Sequence, residues 1–301
     1  MGALLERKEE GGSIGDLLRK AALSLEGSSS PRLDSELILA HVLGCSKEDL
    51  VLRQNECLPK AIVQKFCLLL KKRRDGEPVA YITGEKEFWG LNLYVNRSVL
   101  VPRPETELLV ELALDAAEGY PGKICVLDLG CGSGALMVAL GVELKKRKRS
   151  FKITGVDISR EALEVARENL RRYALIDYSL LIEGDLFVPV FGEKFKIIVS
   201  NPPYLDATKK ESLPKELSYE PDKALFSPER GLWHTYRIIK NVPEYLAVNG
   251  IFLCEMDPSK REYISSYCSK LMAEGRHKEF YNSLSFFMDL RGDVRAFSLR
   301  S

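Results

Sequence analysis

The chain has no Cys-x-x-Cys pair, and its cysteines are odd in number: Cys45, Cys57, Cys67, Cys125, Cys131, Cys254 and Cys268. That argues against a disulfide framework or a zinc centre and favours a reducing compartment. Several of these thiols sit in apolar runs, where free cysteine behaves as a small hydrophobe. The three histidines, His41, His234 and His277, are scattered, so no metal is expected. Charge of one sign is also lacking. Lys and Arg number 44 against 43 Asp and Glu, a net of +1, and the first 80 residues carry 13 basic against 12 acidic side chains. A protein gripping nucleic acid through its phosphates carries a basic excess on the binding domain. Only Lys145-Lys146-Arg147-Lys148-Arg149 resembles a nucleic-acid arm, and it reads as a solvated helix end, where cations are favoured. No stretch of about 18 apolar residues exists to span a bilayer. Met1 to Gly12 has neither the apolar run of a leader nor a myristoylation pattern, so the expected location is cytoplasmic.

What is present is patterned. A length of 301 residues suggests two domains. Residues 1–76 read as a small all-α domain. Ser30-Pro31 looks like a helix start, with Leu33, Leu37 and Ala40 at helical spacing and Gly44 as the stop. Ser46 and Asp49 resemble a capping box, and Ile62, Phe66, Leu69 and Leu70 share a face ending in Lys71-Lys72-Arg73-Arg74. Residues 77–101 read as a linker with a β-hairpin: Phe88 to Val95 as one strand, Asn96-Arg97-Ser98 as the turn, Val99 to Val101 as the second. From 102 to 301 apolar strands alternate with helices. The strands are Ile124–Leu129, Ile153–Val156, Ser179–Ile182, Ile197–Ser200 and Ile251–Glu255; the helices are Glu105 to about Glu118, Leu136–Lys146, Arg160–Tyr173 and Tyr236–Leu246. This predicts an α/β fold with a mostly parallel sheet covered on both faces. Phe286–Leu290 and Val294–Leu299, around Gly292-Asp293, predict an antiparallel terminal hairpin.

Leu129-Gly130-Cys131-Gly132-Ser133-Gly134 carries a strand through a glycine turn into a helix. Glycines let backbone approach a ligand, and the helix N-terminus offers free N–H groups and partial positive charge. The carboxylate of S-adenosylmethionine fits there. So does a dinucleotide pyrophosphate, because Gly130, Gly132 and Ala135 also satisfy the dinucleotide fingerprint. Asp157, closing the next strand, would accept from ribose hydroxyls of either. Asp185 in Gly184-Asp185-Leu186-Phe187 is placed either to accept from an adenine amine, with Leu186 on the ring face, or merely to cap a turn.

Asn201-Pro202-Pro203-Tyr204 decides between them. It follows Phe195–Ser200 at the carboxyl end of a buried strand, where open parallel sheets bind ligands. An amide or exocyclic nitrogen is a poor nucleophile because its lone pair is delocalised. Two acceptors aimed at its N–H bonds would stabilise the charge that develops as it attacks a methyl sulfonium. The Asn201 side-chain oxygen and the Pro202 carbonyl supply them. Proline adds rigidity without a competing N–H, and Tyr204 offers a flat wall. A nicotinamide dehydrogenase has no use for such a corner.

The chain resembles the glutamine N5-methyltransferases of peptide chain release factors, the HemK/PrmC family, from about Leu17 to Leu299. The resemblance rests on Arg32–Leu37, Leu39–Gly44, Gly76–Ile82, Glu87–Gly90, Val101-Pro102-Arg103-Pro104-Glu105-Thr106-Glu107, the glycine loop, Asp157, Asn201–Tyr204, Tyr219-Glu220-Pro221, Ala224-Leu225 and Gly231-Leu232. It implies a class I, Rossmann-like methyltransferase domain at 102–301 behind a helical substrate-recognition domain at 1–76. S-adenosylmethionine would be the cofactor and a release factor the protein partner, methylated on the glutamine of its Gly-Gly-Gln motif, with no direct nucleic acid and no membrane. Gly130, Cys131, Gly132, Ser133, Gly134, Asp157, Asp185, Leu186 and Asn201 would line the cofactor; Asn201, Pro202, Pro203 and Tyr204 would hold the glutamine. Two departures stand out. Phe226-Ser227-Pro228 replaces a frequent glycine pair, and Glu255-Met256-Asp257 lacks the usual glycine. The alternatives are an adenine-N6 nucleic-acid methyltransferase, a glutamine methyltransferase of a ribosomal protein, and a non-catalytic nucleoside-binding module.

Overall fold

The computed structural model describes residues 12–275 and 277–301. The leader and myristoylation readings of the first eleven residues therefore lie outside it. The chain forms two compact units. One runs to Gly84 and takes in Lys215–Tyr219; the other holds Glu85–Pro214 and Glu220–Ser301.

The first unit is helical: α1 (Ile14–Ser24), α2 (Pro31–Leu43), α3 (Lys47–Leu52), α4 (Lys60–Arg74) and α5 (Val79–Thr83). Ser46 and Asp49 form the expected capping box, and Gly44 closes α2 in the left-handed conformation that glycine adopts without a Cβ penalty. Ile14, Leu17, Ala21, Ile38, Leu39, Val42, Phe66 and Leu70 make the core. Two expectations are corrected. Leu33 is 43% exposed, so α2 is rotated from the face marked by Leu33, Leu37 and Ala40. Ser30 makes no side-chain cap; its hydroxyl donates to Asp34 instead. Both changes have one cause. Asp34 is buried and receives Arg73 Nε at 2.6 Å and the Ser28 hydroxyl at 2.6 Å. Arg73 is thus not a solvated cation at a helix end. It lies buried between Asp34 and Glu216, 3.1 Å from the latter.

The second unit opens with a hairpin, β1 (Glu85–Phe88) and β2 (Leu91–Tyr94), turning at Trp89-Gly90. The predicted single strand from Phe88 to Val95 is therefore broken in its middle. Asn96–Ser98 is not the hairpin turn, and Val99–Val101 forms no strand. A short 3-10 turn, Pro104–Thr106, leads into α6 (Glu107–Ala117). Then come β3 (Ile124–Leu129), α7 (Ala135–Lys146), β4 (Phe151–Asp157), α8 (Arg160–Arg172), β5 (Ser179–Glu183), β6 (Phe195–Ser200), the two-residue strands β7 (Leu205–Asp206) and β8 (Phe226–Ser227), α9 (Trp233–Asn241), β9 (Leu246–Glu255), α10 (Arg261–Ala273), α11 (Lys278–Asn282), β10 (Ser285–Met288) and β11 (Val294–Arg300). The helix expected over Tyr236–Leu246 starts at Trp233 and stops at Asn241. Pro243 cannot continue it, and Leu246 already begins β9.

The main sheet has seven strands in the order β10-β11-β9-β6-β3-β4-β5. The five from β9 to β5 are parallel; β10 and β11 are antiparallel. Its apolar strands feed two cores by strict alternation. Val126, Ile197, Val199 and Leu253 face one with α6 and α7, while Leu127, Leu129, Ile198, Phe252 and Cys254 face the other with α9 and α10. Burying each large side chain is worth roughly 1.5–3 kcal/mol. The chain builds outward from β3 to β5, then returns to β6 on the other side of β3. Strand order thus reverses between β3 and β6, and there the strand ends leave a crevice.

Candidate active site

A cavity of about 480 Å³ opens at the carboxyl ends of β3, β4, β5 and β6. Its wall takes in Gly130, Cys131, Gly132 and Ser133 from the glycine turn, Asp157 from the end of β4, Asp185 and Leu186 after β5, and Asn201 and Pro203 after β6. Gly134, Pro202 and Tyr204 are not part of that wall.

The glycine turn is built by its backbone. Gly130, Gly132 and Gly134 have φ of 72°, 52° and 75°. A Cβ on Gly130 would meet nothing within 4 Å, whereas one on Gly134 would lie 3.1 Å from the Ala166 Cβ. The first glycine leaves room for a ligand; the third permits close packing of α7 on α8. The turn is tied down from three sides. Gly130 and Cys131 N–H donate to Val156 O, and Gly132 N–H donates to Asp157 Oδ2 at 2.8 Å. Asn169, fully buried on α8, donates to Ser133 O and to Tyr94 O, and accepts from Tyr94 N–H. Ser159 N–H holds the other Asp157 oxygen at 2.9 Å. Burial raises the Asp157 pKa against the backbone N–H groups of Ser159, Gly132 and Ile158.

Asp128 lies below the turn on β3. Neither of its buried carboxyl oxygens has a hydrogen-bond partner among the described residues. Burial, and then the charge of Asp157, push it up to about 8. A buried carboxyl left open on a cavity wall suits a cationic ligand group. Asp185, also on the wall, is held bidentately by Arg237 at 3.1 and 2.7 Å, which fixes its plane and offsets its charge. His234 also reaches the wall, with Nδ1 2.7 Å from Ser227 Oγ; burial and then Arg237 lower its pKa.

The Asn-Pro-Pro-Tyr corner begins one residue past β6. Asn201 Nδ2 donates to Thr106 Oγ1 at 3.0 Å, and that hydroxyl donates to Glu255 Oε2 at 2.6 Å. Tyr204 OH donates to Glu255 Oε1 at 3.1 Å. Burial, the Glu255 charge and its hydrogen bond raise the Tyr204 phenol well above its ordinary range, so it is no base. Gly231 packs so closely that a Cβ there would stand 2.0 Å from the Tyr204 carbonyl oxygen. The divergent Phe226-Ser227 pairs with Leu205-Asp206 directly after the corner, and Ser227 accepts from His234 N–H. Glu220 receives Val101 N–H at 3.0 Å and Arg103 at 2.5 Å, pinning the segment that leads to Thr106. Among the described residues no group of three or more His, Cys, Asp or Glu could hold a metal ion, and no helix is long and apolar enough to cross a membrane.

Comparison with known proteins accounts for this arrangement. Residues 16–84 match the PrmC N-terminal domain, and residues 104–227 match the methyltransferase small domain. A release factor glutamine methyltransferase of Vibrio cholerae is 43% identical over 234 residues, 77% of this chain and 79% of that one. The chain belongs to the release factor glutamine methyltransferase family. The Rhodopirellula baltica member is 35% identical over 91% of both chains. The catalytic domain of hMettl16, solved in complex with MAT2A 3′UTR hairpin 1, matches 71% of this chain and 75% of its own at a TM-score of 0.53 and 14% identity, which shows a shared fold. The protein is an S-adenosylmethionine-dependent methyltransferase.

Asp128, Thr106, Glu255, Asn169 and Arg237 were not foreseen as site residues. Thr106 sits inside the recognisable Val101–Glu107 segment, and Asp128 stands two residues before Gly130. Asn169 and Arg237 carry no local signal, and Glu255 was marked only within a segment that departs from the family pattern.

Proposed function

We propose that this enzyme methylates the side-chain nitrogen of the glutamine in the Gly-Gly-Gln motif of peptide chain release factors, with Asn201 and the Pro202 carbonyl as the two acceptors for its N–H bonds. The observation carrying this is the shared cavity: Asn201 stands on the same wall as the glycine turn and Asp157, with Nδ2 engaged by Thr106 and Oδ1 left to accept. The site fits the cofactor. Asp128 is open to an ammonium, Gly130 leaves space for a ligand, and Asp157 stands on the same wall for a ribose hydroxyl. S-adenosylmethionine bound there supplies an electrophilic methyl on a sulfonium. Everything else is the work of the protein. Two fixed acceptors draw the flat amide toward the geometry of attack, and rigid prolines hold them without rearrangement. Leu186 lies on the wall for the adenine face, and Asp185, oriented by Arg237, for its amine.

The helical unit would present the protein substrate, release factor and enzyme would meet in the cytoplasm, and no nucleic acid would be required. The test is methyl transfer, read by mass spectrometry, to three substrates: a release factor, a ribosomal protein and duplex DNA. One added methyl on the Gly-Gly-Gln peptide alone supports the reading. Transfer to adenine, or to the ribosomal protein in preference, overturns it.

A further inference from the structure

Glu255 has no part in the reading above, yet it is the least expected group near the corner. It is a carboxylate 2% exposed at the end of β9. It is also the shared acceptor of two hydroxyls, from Thr106 at 2.6 Å and Tyr204 at 3.1 Å. An ionised carboxylate only accepts. While Glu255 is ionised, the single Thr106 hydrogen is therefore spent on it, and only lone pairs remain on the other side of that oxygen. Asn201, 3.0 Å away, can satisfy those lone pairs with an N–H and never with its carbonyl.

We infer that Glu255 is a positioning residue: through Thr106 it dictates which way the Asn201 amide faces, so that Oδ1 and not Nδ2 meets the substrate nitrogen. The inference rests on Asn201 acting as proposed above. Without an acceptor-only group at 255, the Thr106 hydrogen is free to point at Asn201. The amide then gains a second orientation that presents a donor to a donor and excludes the substrate amide. Tyr204 depends on the same carboxylate, so the flat wall and the acceptor are set by one group.

The groups facing Glu255 are few: Thr106 and Glu105 on the 3-10 turn, Tyr204 after β6, and Arg295 on β11. Arg295 is itself engaged with Asp289 at 3.1 Å and Asp293 at 3.4 Å. Burial lifts Glu255 to about 7 against the two hydroxyl donors, so protonation falls within the working range. Below that value the carboxyl can donate to Thr106 and the polarity of the chain is lost.

The test compares Glu255→Gln, Thr106→Val and Thr106→Ser with Asn201→Ala, measuring kcat, KM for release factor, cofactor Kd by calorimetry, melting temperature and pH profile. Glu255→Gln and Thr106→Val should each lower kcat by roughly ten- to a hundredfold, as loss of an outer partner typically does. Cofactor Kd and KM should stay close to the wild-type values. The double variant should lose less than the two single losses combined, because both act on Asn201 through one chain, and any loss beyond Thr106→Val belongs to Tyr204. Thr106→Ser should restore most of kcat. The wild-type kcat should rise with pH through about 7, and that limb should vanish in both Glu255→Gln and Thr106→Val. In 15N spectra of the free enzyme, the Asn201 side-chain amide should shift or broaden in Glu255→Gln.

Glu255→Gln and Thr106→Val with wild-type kcat and an unchanged pH limb, beside an inactive Asn201→Ala, overturn the inference and leave the proposed function standing. An active Asn201→Ala overturns the proposed function itself. If Glu255→Gln melts below the assay temperature, Thr106→Val decides alone, and wild-type turnover in it sinks the inference.

Discussion

Asn201→Ala tests the acceptor on which the proposed transfer depends. The variant deletes one of two fixed acceptors for the reacting nitrogen and leaves the glycine turn, Asp157 and Asp128 in place. Removing one preorganised hydrogen-bonding group from a site where charge develops costs about 10²–10³ in kcat, or about 2.7–4 kcal/mol. Truncation also strips the Thr106 oxygen of its Nδ2 donor, and a buried polar group left unmatched costs roughly 1–3 kcal/mol of stability. Two readouts should therefore move together. Single-turnover methylation of a release factor, followed by mass spectrometry of its Gly-Gly-Gln peptide, should slow by the full catalytic factor. The melting temperature should fall by a few degrees. Cofactor affinity, measured by calorimetry, should change far less than turnover, since most of the cavity wall is untouched. A variant that turns over at the wild-type rate would refute the reasoning. So would one whose entire loss is recovered by saturating cofactor.

Asp128→Asn should weaken cofactor binding by removing a buried carboxyl that has no hydrogen-bond partner among the described residues, with calorimetry as the check. The same variant carries a stability signature. The folded protein holds the Asp128 proton up to about 8, well above the unfolded value of 3.8, so this group contributes stability at low pH that is lost as pH rises from about 4 to 8. Melting temperatures across that range should slope less for Asp128→Asn than for wild type, and parallel slopes would count against it. Arg73→Ala should destabilise the helical unit by roughly 3–5 kcal/mol in urea melts, because it strands Asp34 as a buried charge. Gly134→Ala should cost at least about 1–2 kcal/mol through its positive φ, with added strain against Ala166. Gly130→Ala should carry a similar positive-φ cost and also weaken cofactor Kd, since its methyl would enter the open space beside the cavity.

The parallel sheet was readable because its strands are short apolar runs separated by helical segments, and burial on both faces demands that composition. The hairpin was misplaced for a specific reason. Both residues of this two-residue turn stand at positive φ, as in a type I′ turn; Gly90 adopts that easily, but Trp89 does so at φ 56°. Nothing in a tryptophan announces that. Its N–H is held by Glu107 at 2.8 Å, a contact 18 residues distant. The face of α2 was misjudged because Asp34 and Ser35 are buried where polar residues ordinarily mark the exposed side, and the cause, Arg73, lies 39 residues on. The same rule governs the site. The glycine turn and Asn201–Tyr204 are contiguous, so residue type and spacing reveal them. Thr106 and Glu255 reach Asn201 and Tyr204 across 95 and 51 residues. Asp185 read plausibly as an adenine acceptor, but its partner Arg237, 52 residues away, was invisible and changes its electrostatics.

Why the cofactor loop and the acceptor corner meet at all follows from register. β3 and β6 are adjacent and parallel, with Leu129 opposite Ser200, so Gly130 and Asn201 leave the sheet side by side. Neighbouring strands stand about 4.7–4.9 Å apart, which fixes the spacing between the two loops before any loop geometry is chosen. The Ser200 hydroxyl donates to Leu129 O at 2.8 Å, locking that last pair against fraying. Because side chains alternate with a period of two, a slip of one residue between β3 and β6 would turn Val199 and Ile198 to the wrong cores. Hydrophobic burial therefore enforces the register, and the register enforces the reach between glycine turn and corner. The distance between the glycine turn and the Asn-Pro-Pro-Tyr corner is thus set by the core rather than by the loops themselves. This explains how Phe226-Ser227-Pro228 and Met256-Asp257 can depart from the family pattern while Asn201 still stands on the cofactor wall.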